Sequence, residues 1–373
     1  MENENTHYIP FDTLEAFMAD ALKGVGVPEE DAKICAEILI TSDKRGIDSH
    51  GIGRLKPIYY DRIKKGIQHP VTEFEIIKET FTTAVIDGHD GMGHVIAKRA
   101  MQMAIDKAKV YGMGMTVVRN STHYGFAGYY PLMAIENNMI GMTGTNARPS
   151  IAPTFGVENM LGTNPITVGV PSDEPFPFVL DCATSVSQRG KIEVYDRENK
   201  DIPDGWVIDR QGNSRTDTKQ ILIDLVKGEA ALTPLGGIGE DTGGYKGYGY
   251  ATFVEILSSA LQSGAFLKGL LGFDKKGNAQ PYHLGHFFIA INIENFTEID
   301  DFKKITGDIM RDLRASDKMP GQERIYTAGE KEYDVWLDRK DKGTPMNDAL
   351  IKDILDIKAE LGLEQYQFPF ENK

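Results

Sequence analysis

Apolar positions recur three or four residues apart over residues 11–23 and 28–41, a spacing that predicts two amphipathic helices. Pro28 opens the second, with acidic residues in its first turn, and Gly24, Gly26 and Gly46 punctuate the pair. Beyond Asp48-Ser49-His50-Gly51 the same spacing returns at Leu55, Ile58, Tyr59 and Ile63 and stops at Gly66, with Pro57 expected near a helix start. From about Phe74 the texture changes. Residues 83–87 and 115–118 predict strands, and residues 94–110 and 127–136 predict helices. Further short apolar runs at 166–170, 178–180 and 287–293 are bounded by glycine, proline or polar residues, as buried strands are. Helical patterns at 251–261, 299–315 and 346–361 complete the set. The last two are expected to pack back on the N-terminal helices, leaving the sheet region as an insertion. The fold class expected is α/β, α+β-like in character: a central sheet with helical cover.

Composition narrows the class of protein. The 373 residues are 41% hydrophobic and 26% charged, which excludes disordered, collagen-like and transmembrane chains, and the length suggests two or three structural units. A formal net charge of −14 argues against a surface built for a phosphate backbone, so no nucleic-acid partner and no membrane are expected. Cys35 and Cys182 are too few for a disulfide scaffold or a cysteine zinc site, and the polar, acidic start lacks the basic and apolar regions of a secretory signal. A cytoplasmic location is expected.

Four segments could carry chemistry. His50 and Arg54 lie four apart, so a helix starting there would put an imidazole and a guanidinium on one face, suited to an anionic acid. The spacing alone favours the plainer reading, in which His50 caps a turn and Arg54 is a solvated surface charge. Ser121-Thr122-His123-Tyr124-Gly125 follows a predicted strand and precedes a predicted helix, a junction that displays active-site groups or merely caps a turn. Asp181-Cys182-Ala183-Thr184-Ser185 ends another strand with small residues and hydroxyls that could hold phosphates, while Asp181 could orient a histidine or simply end the strand. The glycine-dense segment 236–249 runs into a helix with Lys246 beside it, which favours anion contact. It is not a P-loop, since Gly247 follows Lys246, and no G-x-G-x-x-G fingerprint occurs, so a standard Rossmann domain is disfavoured. His283 and His286 lack companions at a metal-binding spacing, so no metal is expected.

Taken jointly, Asp48-Ser49-His50-Gly51 with Arg54, Ser121-Thr122-His123-Tyr124-Gly125, Leu161-Gly162-Thr163-Asn164-Pro165, Asp181-Cys182-Ala183-Thr184-Ser185 and the segment from Pro234 to Gly249 resemble the malate/L-lactate dehydrogenase family of the non-Rossmann type, in family order across nearly the whole chain. That group includes ureidoglycolate, sulfolactate and diketogulonate oxidoreductases. The resemblance implies a homodimer whose helical domain, residues 1–120 plus 295–373, holds a nicotinamide-binding domain of unusual fold, residues 121–294, with the active site between them. It implies cofactor contacts from Ser121, Thr163, Asp181, Cys182, Ala183, Thr184, Ser185, Tyr245, Lys246, Pro320, Gly321 and Gln322, the last standing where the family often has Glu. It places His50, Arg54 and His123 at the substrate, with His50 or His123 as proton carrier and His123 favoured; Ser49 is a further substrate candidate, and Arg148 could serve a second carboxylate or be an ordinary loop cation. The implied reaction moves a hydride between NAD or NADP and a small 2-hydroxy acid, malate first, with lactate, sulfolactate and ureidoglycolate as alternatives. A cofactor-free histidine lyase or hydrolase and a non-catalytic metabolite-binding protein are the competing readings.

Overall fold

The computed structural model describes residues 7–371; the acidic start, residues 1–6, lies outside them. A short strand β1 (His7–Ile9) leads into α1 (Phe11–Gly24) and α2 (Glu29–Lys44). A 3₁₀ turn (Ile52–Arg54), a π-helix (Leu55–Tyr60) and α3 (Asp61–Lys64) follow without a break. Then come β2 (Glu75–Glu79), β3 (Thr83–Asp87), α4 (Gly93–Tyr111), β4 (Met113–Ser121), α5 (Tyr129–Glu136), β5 (Met139–Thr145), β6 (Ile166–Val170) and β7 (Phe178–Cys182). A smaller lobe is made by α6 (Arg189–Arg197), β8 (Val207–Asp209), β9 (Ser214–Arg215), α7 (Thr218–Lys227) and β10 (Ala230–Leu232). After α8 (Gly244–Leu257), β11 (Leu284–Asn292) returns to the main sheet, and α9 (Ile299–Ala315), α10 (Glu330–Arg339), β12 (Thr344–Met346) and α11 (Asp348–Leu361) close the chain.

The main sheet has seven strands in the order β2-β3-β4-β11-β5-β6-β7. Only β3 and β4 run parallel; every other pair is antiparallel, which sets this α/β fold apart from a doubly wound sheet. The late strand β11 lies between β4 and β5, with His286 opposite both Val118 and Thr145. The boundary expected at residue 120 falls within β4, and strands from both sides of it share this sheet. One face is covered by α4 and α5, where Ile96, Ala100 and Ala104 meet Val118, Phe288 and Ala290.

A second core joins the two ends of the chain: Leu14 and Phe17 of α1 and Leu39 of α2 cluster with Ile354 and Ile357 of α11 and with Phe368. The final helix therefore packs back as its pattern predicts. Helix α9 does not. It lies along the β6–β7 turn, tied there by Arg311 to Asp173 (2.9 Å) and Glu174 (2.7 Å), and its apolar residues Ile305, Ile309 and Leu313 stay exposed. Pro57 lies near a helix start, as expected. It is the third residue of the π-helix, where the N–H it lacks has no intrahelical acceptor to serve.

Helix α8 starts at Gly244, seven residues before its predicted start, inside the glycine-dense segment. The glycines are what allow this. Gly236, Gly237, Gly239 and Gly243 have φ between +70° and +98°, and a Cβ on Gly247 would stand 2.2 Å from the Leu235 carbonyl oxygen.

Candidate active site

The segment that carries His50 and Arg54 is fastened from beneath. Asp43, buried near the end of α2, accepts the Ile52 N–H at 2.9 Å, and its other oxygen would be 1.9 Å from a Cβ on Gly51, so only glycine lets the backbone pass. Arg339 of α10 donates to the Asp43 carbonyl at 2.8 Å and grips Asp48 with both nitrogens, at 2.5 and 2.9 Å. Burial pushes the Asp43 carboxyl up to about 8, so it is largely protonated at neutral pH despite the nearby Arg339. On the loop so held, His50 Nδ1 lies 2.8 Å from the Ser49 hydroxyl, and Arg54 Nε donates to the Ser49 carbonyl.

His123 arrives from the other side, just beyond β4. Thr122 fixes it by accepting the Gly93 N–H (2.9 Å) and donating to the Gly91 carbonyl (2.7 Å). The His50 and His123 rings stack at 5.6 Å with 16° between their planes. Tyr59, fully buried in the π-helix, sets its hydroxyl 2.6 Å from His123 Nδ1 and its ring 4.6 Å from that of His94. Burial, reinforced by Arg54, pushes His50 down to about 4. Burial and then the neighbouring His50, His94, Arg62 and Arg54 hold His123 well below the usual imidazole value, and burial takes His94 to about 3. Both stacked imidazoles are therefore neutral at pH 7, ready to accept a proton. Burial raises the Tyr59 phenol well above its usual value, so it keeps its proton.

A cavity of about 270 Å³ opens in front of this pair. Ser49, His50 and His123 form part of its wall; Gly125, Ala127, Gly128, Ala147, Thr163 and Ala183 form another part, and Arg45, Asp181 and Glu332 also line it. The small residues keep that part of the wall free of long side chains. Asp181 accepts the Gly128 N–H (2.7 Å) and the Thr167 hydroxyl (3.0 Å).

The other expected residues occupy varied positions. Thr184 donates to the carbonyls of Thr163 and Asn164, both at 3.1 Å, and Ser185 to that of Ser187 at 2.7 Å, so these hydroxyls brace the loop. Cys182 Sγ faces the Ile166 carbonyl. The Leu235 N–H donates to the Thr184 carbonyl at 2.8 Å, which docks the glycine segment and the start of α8 on that loop. No side chain caps α8, and exposed Tyr245 and Lys246 stand beside its first turn. Ser121 is buried at the end of β4, and Arg148 is exposed next to the wall residue Ala147. Pro320, Gly321 and Gln322 form an exposed turn that gives the cavity no wall. His283 and His286 are apart in role: the first bonds Asp90 (2.9 Å), the second Thr145 (2.7 Å). Sequence reasoning missed Asp43, Arg45, Tyr59, Arg62, His94 and Glu332. The helical spacing marks Tyr59 only as an apolar position, and its contact partner is 64 residues away.

The chain is an oxidoreductase: it is a member of the malate/L-lactate dehydrogenase family, whose model matches residues 9–355. Dehydrogenases of this family use a nicotinamide cofactor. Among relatives, the chain is 42% identical to a malate dehydrogenase of Pyrococcus horikoshii over 97% of this chain and 98% of that one. It is 40% identical to an L-sulfolactate dehydrogenase of Methanocaldococcus jannaschii, over 92% and 94%. The crystal structure of malate dehydrogenase from Entamoeba histolytica matches with a TM-score of 0.92 at 47% identity, covering 96% of this chain and 99% of that one.

Proposed function

We propose that the enzyme interconverts malate and oxaloacetate with NAD or NADP, using His123 as the proton carrier and Arg54 as the carboxylate clamp. The bound nicotinamide supplies the hydride acceptor for C2 of the hydroxy acid. His123 Nε2 takes the hydroxyl proton, and the Tyr59 hydroxyl 2.6 Å from Nδ1 fixes the ring. Arg54 holds the C1 carboxylate through two parallel hydrogen bonds, Ser49 steadies the substrate end, and His50 stacks against His123 as the second candidate carrier. In the reverse direction the same histidine gives its proton back. Thr163, Ala183 and the loop Asp181–Cys182–Thr184–Ser185 would hold the cofactor, with Ser121, Tyr245, Lys246 and Pro320–Gly321–Gln322 as further contacts. The N-terminal turn of α8 suits its phosphates.

The observation that carries this reading is the pair of stacked, neutral imidazoles at 5.6 Å on the wall of a cavity, beside an arginine without a carboxylate partner among the described residues. The malate dehydrogenases among the relatives favour malate as substrate. Nicotinamide absorbance tests it: L-malate, L-lactate, sulfolactate and ureidoglycolate are each assayed with both cofactors. Malate is expected to give the highest kcat/KM, and His123→Ala to abolish turnover. No reduction of either cofactor by any of these acids, with no oxidation of the reduced forms by the ketoacids, would return the site to a cofactor-free lyase or hydrolase.

The same reading includes a cytoplasmic homodimer. The two cysteines are unpaired, as a reducing compartment requires, and no helix among the described residues is long and apolar enough to cross a membrane. Ile305, Ile309 and Leu313 form an exposed apolar row on α9 that a second copy would cover. Sedimentation equilibrium reads the oligomeric state.

A further inference from the structure

Three arginines, none of them part of the cavity wall, approach His123 or one another from three separate segments. Arg54 ends the 3₁₀ turn, Arg62 lies in α3, and Arg148 follows the cavity-wall residue Ala147. Among the described residues, no carboxylate lies within ion-pair distance of any of them. Arg62 is the least expected of the three, and two contacts fix its place. It follows Tyr59 by three residues, across the junction of the π-helix and α3, and Tyr59 touches His123. Its guanidinium stands 4.6 Å from the centre of the Tyr282 ring, two residues before Leu284, which lines the cavity and pairs with Ser121. Burial lowers Arg62, and the charges of Arg148 and Arg54 lower it further, while Arg62 in turn depresses His123.

Half-buried like charges without counter-ions repel one another and stay costly until an anion joins them. A monocarboxylate on Arg54 would leave two guanidinium groups uncompensated, whereas a second acidic group would answer another. Arg148 is exposed and screened by water; Arg62 is held in place by the Tyr282 ring and loses little freedom on binding.

We propose that Arg62 binds the second, terminal acidic group of the substrate while Arg54 holds the first, so that the site selects dianionic 2-hydroxy acids over monoanionic ones. The inference rests on the dehydrogenase reading above and deepens it. A terminal carboxylate and a terminal sulfonate share the required chemistry: a planar or pyramidal cluster of anionic oxygens facing a guanidinium fork.

The test compares kcat/KM for L-malate, L-sulfolactate and L-lactate in the wild type, Arg62→Met and Arg62→Lys. Methionine keeps a stem against Tyr282 and removes the charge. The malate-to-lactate ratio is expected to fall about 100-fold in Arg62→Met, through KM for malate. The sulfolactate-to-lactate ratio falls in parallel if Arg62 accepts both groups, and a fall confined to one acid names the group it takes. Arg62→Lys keeps the charge without the two-pronged grip and is expected to lose about tenfold, which carries the comparison if the Met variant does not fold. An equal loss on all three acids, an unchanged ratio, or a wild type that prefers lactate overturns the inference while leaving the dehydrogenase reading intact. A wild type inactive on every acid overturns both.

Discussion

Removing one buried oxygen tests how the proposed proton carrier is held. In Tyr59→Phe the ring stays against His94, where the centroids are 4.6 Å apart, but the hydroxyl 2.6 Å from His123 Nδ1 is lost. The remaining neighbour of Nδ1 is the Gly125 N–H at 3.3 Å, a donor that cannot receive the proton Nδ1 carries when the imidazole is charged. Tyr59 is fully buried, so water does not replace the missing acceptor. A hydrogen bond to a group that becomes charged contributes about 1.5–3 kcal/mol, and each 1.4 kcal/mol is tenfold, so kcat should fall about 10- to 100-fold with KM for malate changed little. The lost acceptor also destabilises the imidazolium, so the already depressed His123 moves lower still and the acid limb of kcat/KM for malate oxidation shifts to lower pH. Initial rates across pH, alongside melting curves showing an intact fold, provide the readout. A variant with kcat within twofold of the wild type and an unmoved acid limb would refute the reasoning.

Two further outcomes follow from the bed of the His50 loop. Asp43, raised by burial to about 8, binds its proton more tightly in the folded than in the unfolded state, so its contribution is present at lower pH and is lost as pH rises through 8. The wild type should lose on the order of 1 kcal/mol from this group between pH 7 and 9, and Asp43→Asn, which keeps an acceptor for the Ile52 N–H, should lack that component. Urea midpoints measure it; parallel losses in the two proteins would contradict the assignment. Gly51→Ala places a methyl 1.9 Å from Asp43 Oδ1, so the loop must move, costing about 1–3 kcal/mol and at least about tenfold in kcat as His50 and Arg54 leave register. Wild-type melting and turnover in that variant would show the loop to be looser than its packing indicates.

What could be read from sequence divides along the range of the interactions involved. Strands β3 and β6 and helix α9 were predicted at their observed ends, because alternation and helical spacing are local signals. The strand order was not legible, since β11 enters between β4 and β5 from more than a hundred residues away and nothing local encodes that pairing. The small lobe of β8, β9, β10, α6 and α7 went unread because its strands are two or three residues long and its core is only a few side chains, among them Ile192, Val207 and Ile221. At the candidate site, His50, His123, Thr163, Asp181 and Ala183 were named from motifs and the structure brings them to one cavity. Tyr59, Arg62 and Asp43 carry no motif, and their proximity to the site exists only after folding. Pro320, Gly321 and Gln322 were named from resemblance alone, and within one chain they remain on an exposed turn.

The most direct measurement is a crystal structure of the complex with nicotinamide cofactor and oxaloacetate or an unreactive analogue. The account predicts the keto oxygen within hydrogen-bond reach of His123 Nε2, about 2.6–3.2 Å, the adjacent carboxylate forked on Arg54, and the reactive carbon of the nicotinamide against the substrate's C2. A nicotinamide ring bound away from both His123 and Arg54, with the acid held elsewhere, would contradict it.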